Sequence, residues 1–208
     1  MEPKKTIILA SQSRDRKRLL SNANIPHIVI VSDYKERNTM DLSSTQLCIL
    51  HAKGKAYSVR LMLEKNPILI QTPQYVIIAA DTIVDFRGEL IGKAENISCA
   101  KEILQKLMGN THVLMTGVVI YDSESDTTVE YIDKTDVKFA ELSDEEIENY
   151  VTYSDEYKWR AGSYSMFDRA SVFIESISGS PSNVIGLPMS FVYQQLKKFG
   201  INILKLKK

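Results

Sequence analysis

Two cysteines in 208 residues are too few for a disulfide framework, and Cys48 and Cys99 stand too far apart for a CxxC metal knuckle. Free cysteine is among the most often buried residues, so both read as small, partly buried hydrophobes. The longest unbroken apolar run covers only residues 75–80, far short of a membrane span. The opening Met1-Glu2-Pro3-Lys4-Lys5 carries no apolar segment of signal-peptide length. Neither sign of charge is in excess. Lys plus Arg is 26 and Asp plus Glu is 26, which excludes a global positive field for nucleic acid and the acidic surplus of disordered chains. The three histidines, His27, His51 and His112, lack metal-ligand spacing, and His51 has no His or Glu partner at i+4. There is no GxSxG, no P-loop and no GxGxxG. What remains is a neutral chain of 23.6 kDa, long enough to bury a core unaided. It is expected to be cytoplasmic, with no nucleic-acid or membrane partner.

Strand and helix signals alternate along it. Thr6-Ile7-Ile8-Leu9-Ala10 and Ile28-Val29-Ile30-Val31 read as buried strands, separated by a basic helical stretch through Leu19-Leu20. Ser43 with Gln46 is a capping box opening a helix to about Glu64, with Leu47, Leu50, Gly54, Tyr57 and Leu61 as its apolar stripe. The strongest strand runs through residues 75–80 into Asp81-Thr82-Ile83-Val84, and Arg87-Gly88-Glu89 forms a turn to a short partner strand. A helix follows with Ala100, Ile103, Leu104, Leu107 and Met108 at helical spacing and Gly109 at C′. Two long strands are expected near residues 113–121 and 129–139, with a polar turn at 122–126. Ser143 and Glu146 make a second capping box, with Leu142 and Ile147 as its staple. A strand at 172–177, a helix from about Ser190 to Gly200 and a short strand at 201–206 complete the pattern. No repeat or linker interrupts it, so the expectation is one α/β (α+β) domain over residues 1–208 with a mixed, twisted sheet flanked by helices.

Several side chains could carry chemistry. Ser11-Gln12-Ser13-Arg14-Asp15-Arg16 places a polar turn and a helix start after a strand, an arrangement suited to anions. Asp81 leaves the most apolar strand, where α/β sheets gather ligands, and could serve as base or cation ligand. Lys53 and Lys55 flank the long helix's apolar stripe, Lys93 follows a turn, and Glu36 lies in a loop beyond the second strand. Taken singly, each of these is as well explained by a solvated surface or a turn. Tyr153, Tyr157, Trp159 and Tyr164 form an aromatic stretch for which core packing is the default reading and base stacking the minority one.

Together the positions resemble a known family. Leu9-Ala10-Ser11-Gln12-Ser13 with Arg16, Leu19 and Leu20 is similar to LASxSPRRxxLL. Ser32-Asp33-Tyr34-Lys35-Glu36 resembles SDVDE, and Ala52 with Lys55-Ala56 resembles AxxKA. Ala80-Asp81-Thr82-Ile83-Val84 with Gly88-Glu89-Leu90-Ile91-Gly92-Lys93 resembles ADTxV…GEILGK. Leu107-Met108-Gly109 with His112 and Thr116-Gly117-Val118, then Ala161-Gly162-Ser163-Tyr164, then Ile177-Ser178-Gly179-Ser180 with Asn183-Val184-Ile185-Gly186-Leu187-Pro188, continue the series in order. These blocks resemble the Maf-type nucleoside triphosphate pyrophosphatases. The resemblance implies a two-lobed Maf/inosine-triphosphatase-like fold around a central nucleotide cleft, a homodimer, and hydrolysis of a nucleoside triphosphate to monophosphate and pyrophosphate with Mg²⁺, Mn²⁺ or Co²⁺. It implies Asp81 as base or metal-organising carboxylate and Glu36 as second acid, both toward the metal. Arg16, Lys55 and Lys93 would hold phosphates, with Ser11 and Ser13 shaping the first loop.

Three positions bear on base choice by the same resemblance: Asp15, Thr82 and Phe167. Asp15 replaces the family's first arginine and Arg14 its proline, while Phe167 replaces a glutamine. Thr82 matches the group that prefers dTTP and UTP, where a group preferring 7-methyl-GTP has glutamine. The expected substrate is therefore dTTP, UTP or a modified pyrimidine nucleotide. The alternative prompted by Asp15 and Phe167 is a weakly active or non-catalytic nucleotide-binding regulator on the same fold. An RNA-binding module, prompted by Lys4, Lys5, Arg14, Arg16, Lys17 and Arg18, lacks the interleaved basic and aromatic residues such a surface uses.

Overall fold

A computed structural model describes residues 5–36, 42–70 and 72–205. Their strands form one seven-stranded mixed sheet, and six α-helices accompany it among these residues. The sheet order is β2 (Ile28–Val29), β1 (Thr6–Leu9), β3 (Tyr75–Phe86), β5 (Thr111–Asp122), β6 (Thr127–Phe139) and β7 (Ile174–Ser178), with β4 (Glu89–Ile91) paired to β3. β1 pairs in parallel with both β2 and β3, whereas β3–β4 and β6–β7 are antiparallel. The chain divides into two compact units.

The first unit comprises Met1–Asp81, Thr116–Ile132 and Gly186–Lys208. Its strands β1 and β3 are covered on both faces, which is why the run Val76, Ile77, Ile78, Ala79 and Ala80 is apolar without alternation and completely buried. Side chains still alternate by pleat. Ile7, Leu9, Val76, Ile78 and Ala80 pack with Leu20 of α1 (Arg14–Asn22) and Val192 and Leu196 of α6 (Met189–Lys198). Ile8, Ala10, Ile77 and Ala79 pack with Ala52, Ala56, Val59 and Leu63 of α2 (Ser44–Lys65). The second unit comprises Thr82–Met115 and Asp133–Ile185. There α3 (Ile97–Leu107) and α4 (Asp144–Tyr153) pack through Leu104, Leu107, Ile147 and Val151 around Phe139, Tyr164 and Phe173. α5 (Pro181–Val184), which the sequence did not announce, begins where Ser180 accepts a hydrogen bond from the Asn183 N–H at 3.3 Å.

Both capping boxes form as expected: Ser43 with Gln46 on α2 and Ser143 with Glu146 on α4. Other expectations are corrected. The strand at 28–31 shrinks to two residues and is exposed, because β2 is the sheet's edge and has β1 alone as neighbour. The buried face of α2 keeps Leu47 of the expected stripe but not Leu50, Gly54, Tyr57 or Leu61, of which Tyr57 is 63% exposed. It is completed by Cys48, Ala52, Ala56, Val59 and Leu63. Small side chains face the sheet because the approach is close: a Cβ on Gly117 of β5 would lie 2.6 Å from the Cys48 carbonyl carbon. Hydrophobicity alone selects larger residues and so the wrong face.

The strand at 172–177 starts at Ile174 instead, since residues Arg169–Val172 form a 3₁₀ turn. The Glu156 carboxylate caps that turn by accepting the Arg169 and Ala170 N–H groups at 2.9 and 3.1 Å. Ile203–Lys205 is another 3₁₀ turn, not a strand, with the Asn202 side chain accepting the Leu204 N–H; Leu206 lies outside the described residues. Of the aromatic stretch, Tyr157 and Tyr164 are buried, but Tyr153 and Trp159 are exposed. Cys48 is buried and Cys99 half-buried, and neither forms a disulfide among the described residues.

Candidate functional site

Ser11, Ser13, Asp15, Arg16, Glu36, Lys55 and Asp81 all belong to the first unit. Pleat parity decides who meets whom. Ile77, Ala79 and Asp81 point to the same side of β3, and that side is covered by α2, which carries Lys55 one position before the buried Ala56. Asp81 is therefore delivered to Lys55 by the same alternation that buries Ala79. The Lys55 ammonium donates to Asp81 Oδ1 at 2.6 Å and pairs with Glu36 Oε1 at 2.7 Å. Asp81 is buried, whereas Glu36 lies on the exposed loop after β2. Asp81 is not at the carboxyl end of its strand, because β3 continues to Phe86; it is β1 that ends, at Leu9 opposite Ile78, and Asp81 lies three residues beyond that pairing. Asp85, further along, instead accepts the Gly88 N–H at 2.9 Å and fixes the β3–β4 turn.

Ser11 and Arg16 form the neighbouring cluster. Ser13 is the N-cap of α1, its hydroxyl accepting the Arg16 N–H, and the Ser13 N–H donates to Ser11 Oγ at 3.2 Å. Arg16 is only 8% exposed. Its Nη1 donates to Ser11 Oγ at 3.0 Å and its Nε to the Gly186 carbonyl at 2.7 Å. Burial pushes the Arg16 guanidinium below its ordinary value, and Asp81 and Glu36 pull it back up, so its charge lies within reach of both carboxylates. Arginine stays protonated even so. Asp15 sits in the first turn of α1. A planar guanidinium held at two points beside two carboxylates and an ammonium is a set that can bind a polyanion with a cation.

The remaining expected residues belong to the second unit. Thr82 follows Asp81 on β3. Lys93 is exposed, with its backbone bridged to Ala161 while the Gly162 N–H donates to the Gly92 carbonyl at 3.2 Å. The half-buried Phe167 has its N–H on Ser165 Oγ at 3.3 Å. Lys53, on the exposed side of α2, pairs with Glu130 at 2.8 Å and takes no part in the cluster. Sequence reasoning missed the Gly186 carbonyl as a fixed partner of Arg16, since a backbone acceptor carries no residue signature.

The model of the Maf-like protein family matches residues 6–199. The chain belongs to that family. Among its relatives, a dTTP/UTP pyrophosphatase of Bacillus cereus (strain G9842) is 39% identical over 199 residues, covering 96% of this Maf-like chain and 98% of that protein. Another, the dTTP/UTP pyrophosphatase of Bacillus thuringiensis subsp. konkukian (strain 97-27), is also 39% identical, over 95% of this chain and 97% of its own. The protein of the same name from Bacillus anthracis matches at 39% over the same shares. Among the described residues of this Maf-like protein, no helix is long and apolar enough to cross a membrane.

Proposed function

We propose that this protein hydrolyses dTTP and UTP to the nucleoside monophosphate and pyrophosphate. The observation that carries the reading is the Lys55 ammonium held between Asp81 and Glu36, beside the buried Arg16–Ser11 pair. The names of the relatives support the substrates, and Thr82 agrees with a pyrimidine base.

In this reading water attacks the α-phosphorus, the bond from that phosphorus to the bridging oxygen breaks, and pyrophosphate departs. Asp81, buried and directed by β3, takes the water's proton at a carboxylate oxygen. Arg16 offers a preset fork to the phosphate oxygens, with Ser11 and Ser13 fixing the turn that presents it. Lys55 neutralises charge gathering on the departing pyrophosphate. A divalent cation, Mg²⁺, Mn²⁺ or Co²⁺, fits the donor set, because two carboxylates from separate elements already converge on one cationic point at Lys55. No group of three or more metal-ligating side chains occurs among the described residues, so phosphate oxygens and water would complete its shell. When bound, such an ion lowers the pKa of water and screens phosphate charge.

The test is dTTP or UTP turnover with phosphate read by malachite green, with and without added inorganic pyrophosphatase. Signal should need the added enzyme, and Asp81→Asn should cut kcat at least ~100-fold. Orthophosphate released without the added enzyme, or near-native turnover in Asp81→Asn, would overturn the reading. The second reading, a non-catalytic nucleotide sensor, is favoured by Asp15 and Phe167 standing where the family has arginine and glutamine; tight dTTP binding with no turnover in all three metals would select it.

A further inference from the structure

Glu36 is held in place without any regular backbone structure. β2 ends at Val29, and residues 30–36 run as irregular chain. Five contacts fasten the end of this segment to α2. The Asp33 N–H donates to Ser58 Oγ at 3.1 Å, and the Ser58 hydroxyl returns a bond to Asp33 Oδ1 at 2.5 Å. The Tyr34 hydroxyl shares a hydrogen bond of 3.1 Å with Nδ1 of the buried His51. The Tyr34 ring lies against Gly54, and Glu36 pairs with Lys55. Positions 51, 54, 55 and 58 are spaced i, i+3, i+4 and i+7, which is one stripe of an α-helix.

Gly54 is the informative member. Glycine in a helix interior is unfavourable relative to alanine, and α2 runs 22 residues with Gly54 near its middle. A Cβ there would lie 2.2 Å from Tyr34 Cε2 and 2.5 Å from Cδ2 and Cζ. The glycine is needed because the aromatic ring occupies the space of its missing side chain.

We propose that Tyr34, seated on Gly54 and tied to His51, is a positioning residue that holds the Glu36 carboxylate against Lys55, with Ser58 as the second staple. This rests on the role given to Glu36 above. The geometry supplies the reason: an exposed loop carboxylate would otherwise sample many positions, and catalytic groups misplaced by about 1 Å lose rate steeply, by up to ~100-fold. A ring pushed off Gly54 has somewhere to go, since Tyr34 also lines a cavity of about 490 Å³ between α2 and the β5–β6 strands. The fold can therefore survive while the loop shifts.

The experiment is a set of cycles on the full chain, with dTTP turnover, thermal melting and amide exchange of the segment around residues 32–36. Tyr34→Ala and Gly54→Ala should each lower kcat about tenfold or more, with the melting temperature nearly unchanged and exchange across the segment faster. Tyr34→Phe, which keeps the ring, should stay within about threefold of wild type. In the Tyr34→Ala background, Gly54→Ala should change kcat less than twofold, because the ring it displaces is already gone. In the Glu36→Gln background, Tyr34→Ala should likewise add less than twofold. Additive losses in either cycle overturn the proposal. A crippled Glu36→Gln beside an undisturbed Tyr34→Ala overturns the clamp alone; an undisturbed Glu36→Gln overturns the role of Glu36 and the clamp with it. If Gly54→Ala fails to fold, Ser58→Ala tests the other staple by the same cycle, and additivity with Glu36→Gln there is equally decisive.

Discussion

Arg16 shows what one side chain does when its geometry is fully used. Its Nε and Nη1 reach two acceptors in different parts of the chain, the Gly186 carbonyl and Ser11 Oγ. Lysine would bring the same charge as a single point and could not span both. Arg16→Lys should therefore lower kcat/KM for dTTP by roughly 10- to 100-fold, about 1.4 to 2.7 kcal/mol of transition-state stabilisation. Steady-state kinetics checks this; a change within threefold would mean that the charge alone matters. Lys55 is a different case. It stands between two carboxylates, one buried and one exposed, so its removal would leave Asp81 without its 2.6 Å partner. Loss of activity there would mix lost phosphate binding with a disturbed Asp81, and the single substitution is less telling than Arg16→Lys.

At the scale of elements, the long helix α2 does two jobs on two stripes. Its small-residue stripe packs on the sheet through Cys48, Ala52 and Ala56, and the stripe at 51, 54, 55 and 58 receives the Glu36 loop. The close approach on the first stripe is set at Gly117, whose added Cβ would meet Cys48 backbone atoms at 2.6 and 2.7 Å. Backbone cannot swing aside as a side chain can. Gly117→Ala should destabilise the protein by about 1–3 kcal/mol, the usual range for overpacking. Urea denaturation followed by circular dichroism measures it, and a loss below about 0.5 kcal/mol would show that α2 can lift from β5 at little cost.

For the molecule as a whole, pH dependence exposes a buried histidine. His112 is 1% exposed, with Nε2 on the Tyr164 hydroxyl at 3.0 Å, edges against Phe139 and Tyr164, and no hydrogen-bond partner for Nδ1 among the described residues. Burial lowers its pKa from 6.5 to about 4. The unfolded chain gains this proton as pH falls through about 6.5, but the folded chain resists until about 4. Stability contributed by the neutral ring is complete above 6.5 and declines between 6.5 and 4, by about 3 kcal/mol in all. At Asp122, burial pushes the carboxyl up, but Lys5 and Ser125 outweigh it and hold it below its ordinary range, so its contribution is lost only at still lower pH. Denaturation at a series of pH values should show the first decline in wild type and lose it in His112→Gln. An unchanged slope in that variant would assign it to other groups.

Much of this protein could be read from the chain because the signals are local. Pattern and capping chemistry mark β1, α2, β3, α3, α4 and α6, since each depends on residues a few positions apart. The resemblance carried by ordered motifs named Ser11, Arg16, Glu36, Lys55 and Asp81, the residues that the first unit brings together. Tertiary structure decided the rest. Which face of α2 is buried depends on how near a neighbouring strand comes, and that distance appears in no single helix's periodicity. Whether residues 28–31 are buried depends on having a neighbour on one side or two. The 3₁₀ turn before β7 depends on Glu156, distant along the chain, capping it. Pleat parity fixed the side to which Asp81 points, but only the packing of α2 on that side determined that a lysine would meet it there. A glycine in the middle of a helix was visible from the start; the tyrosine that needs it became visible only when the chain was folded.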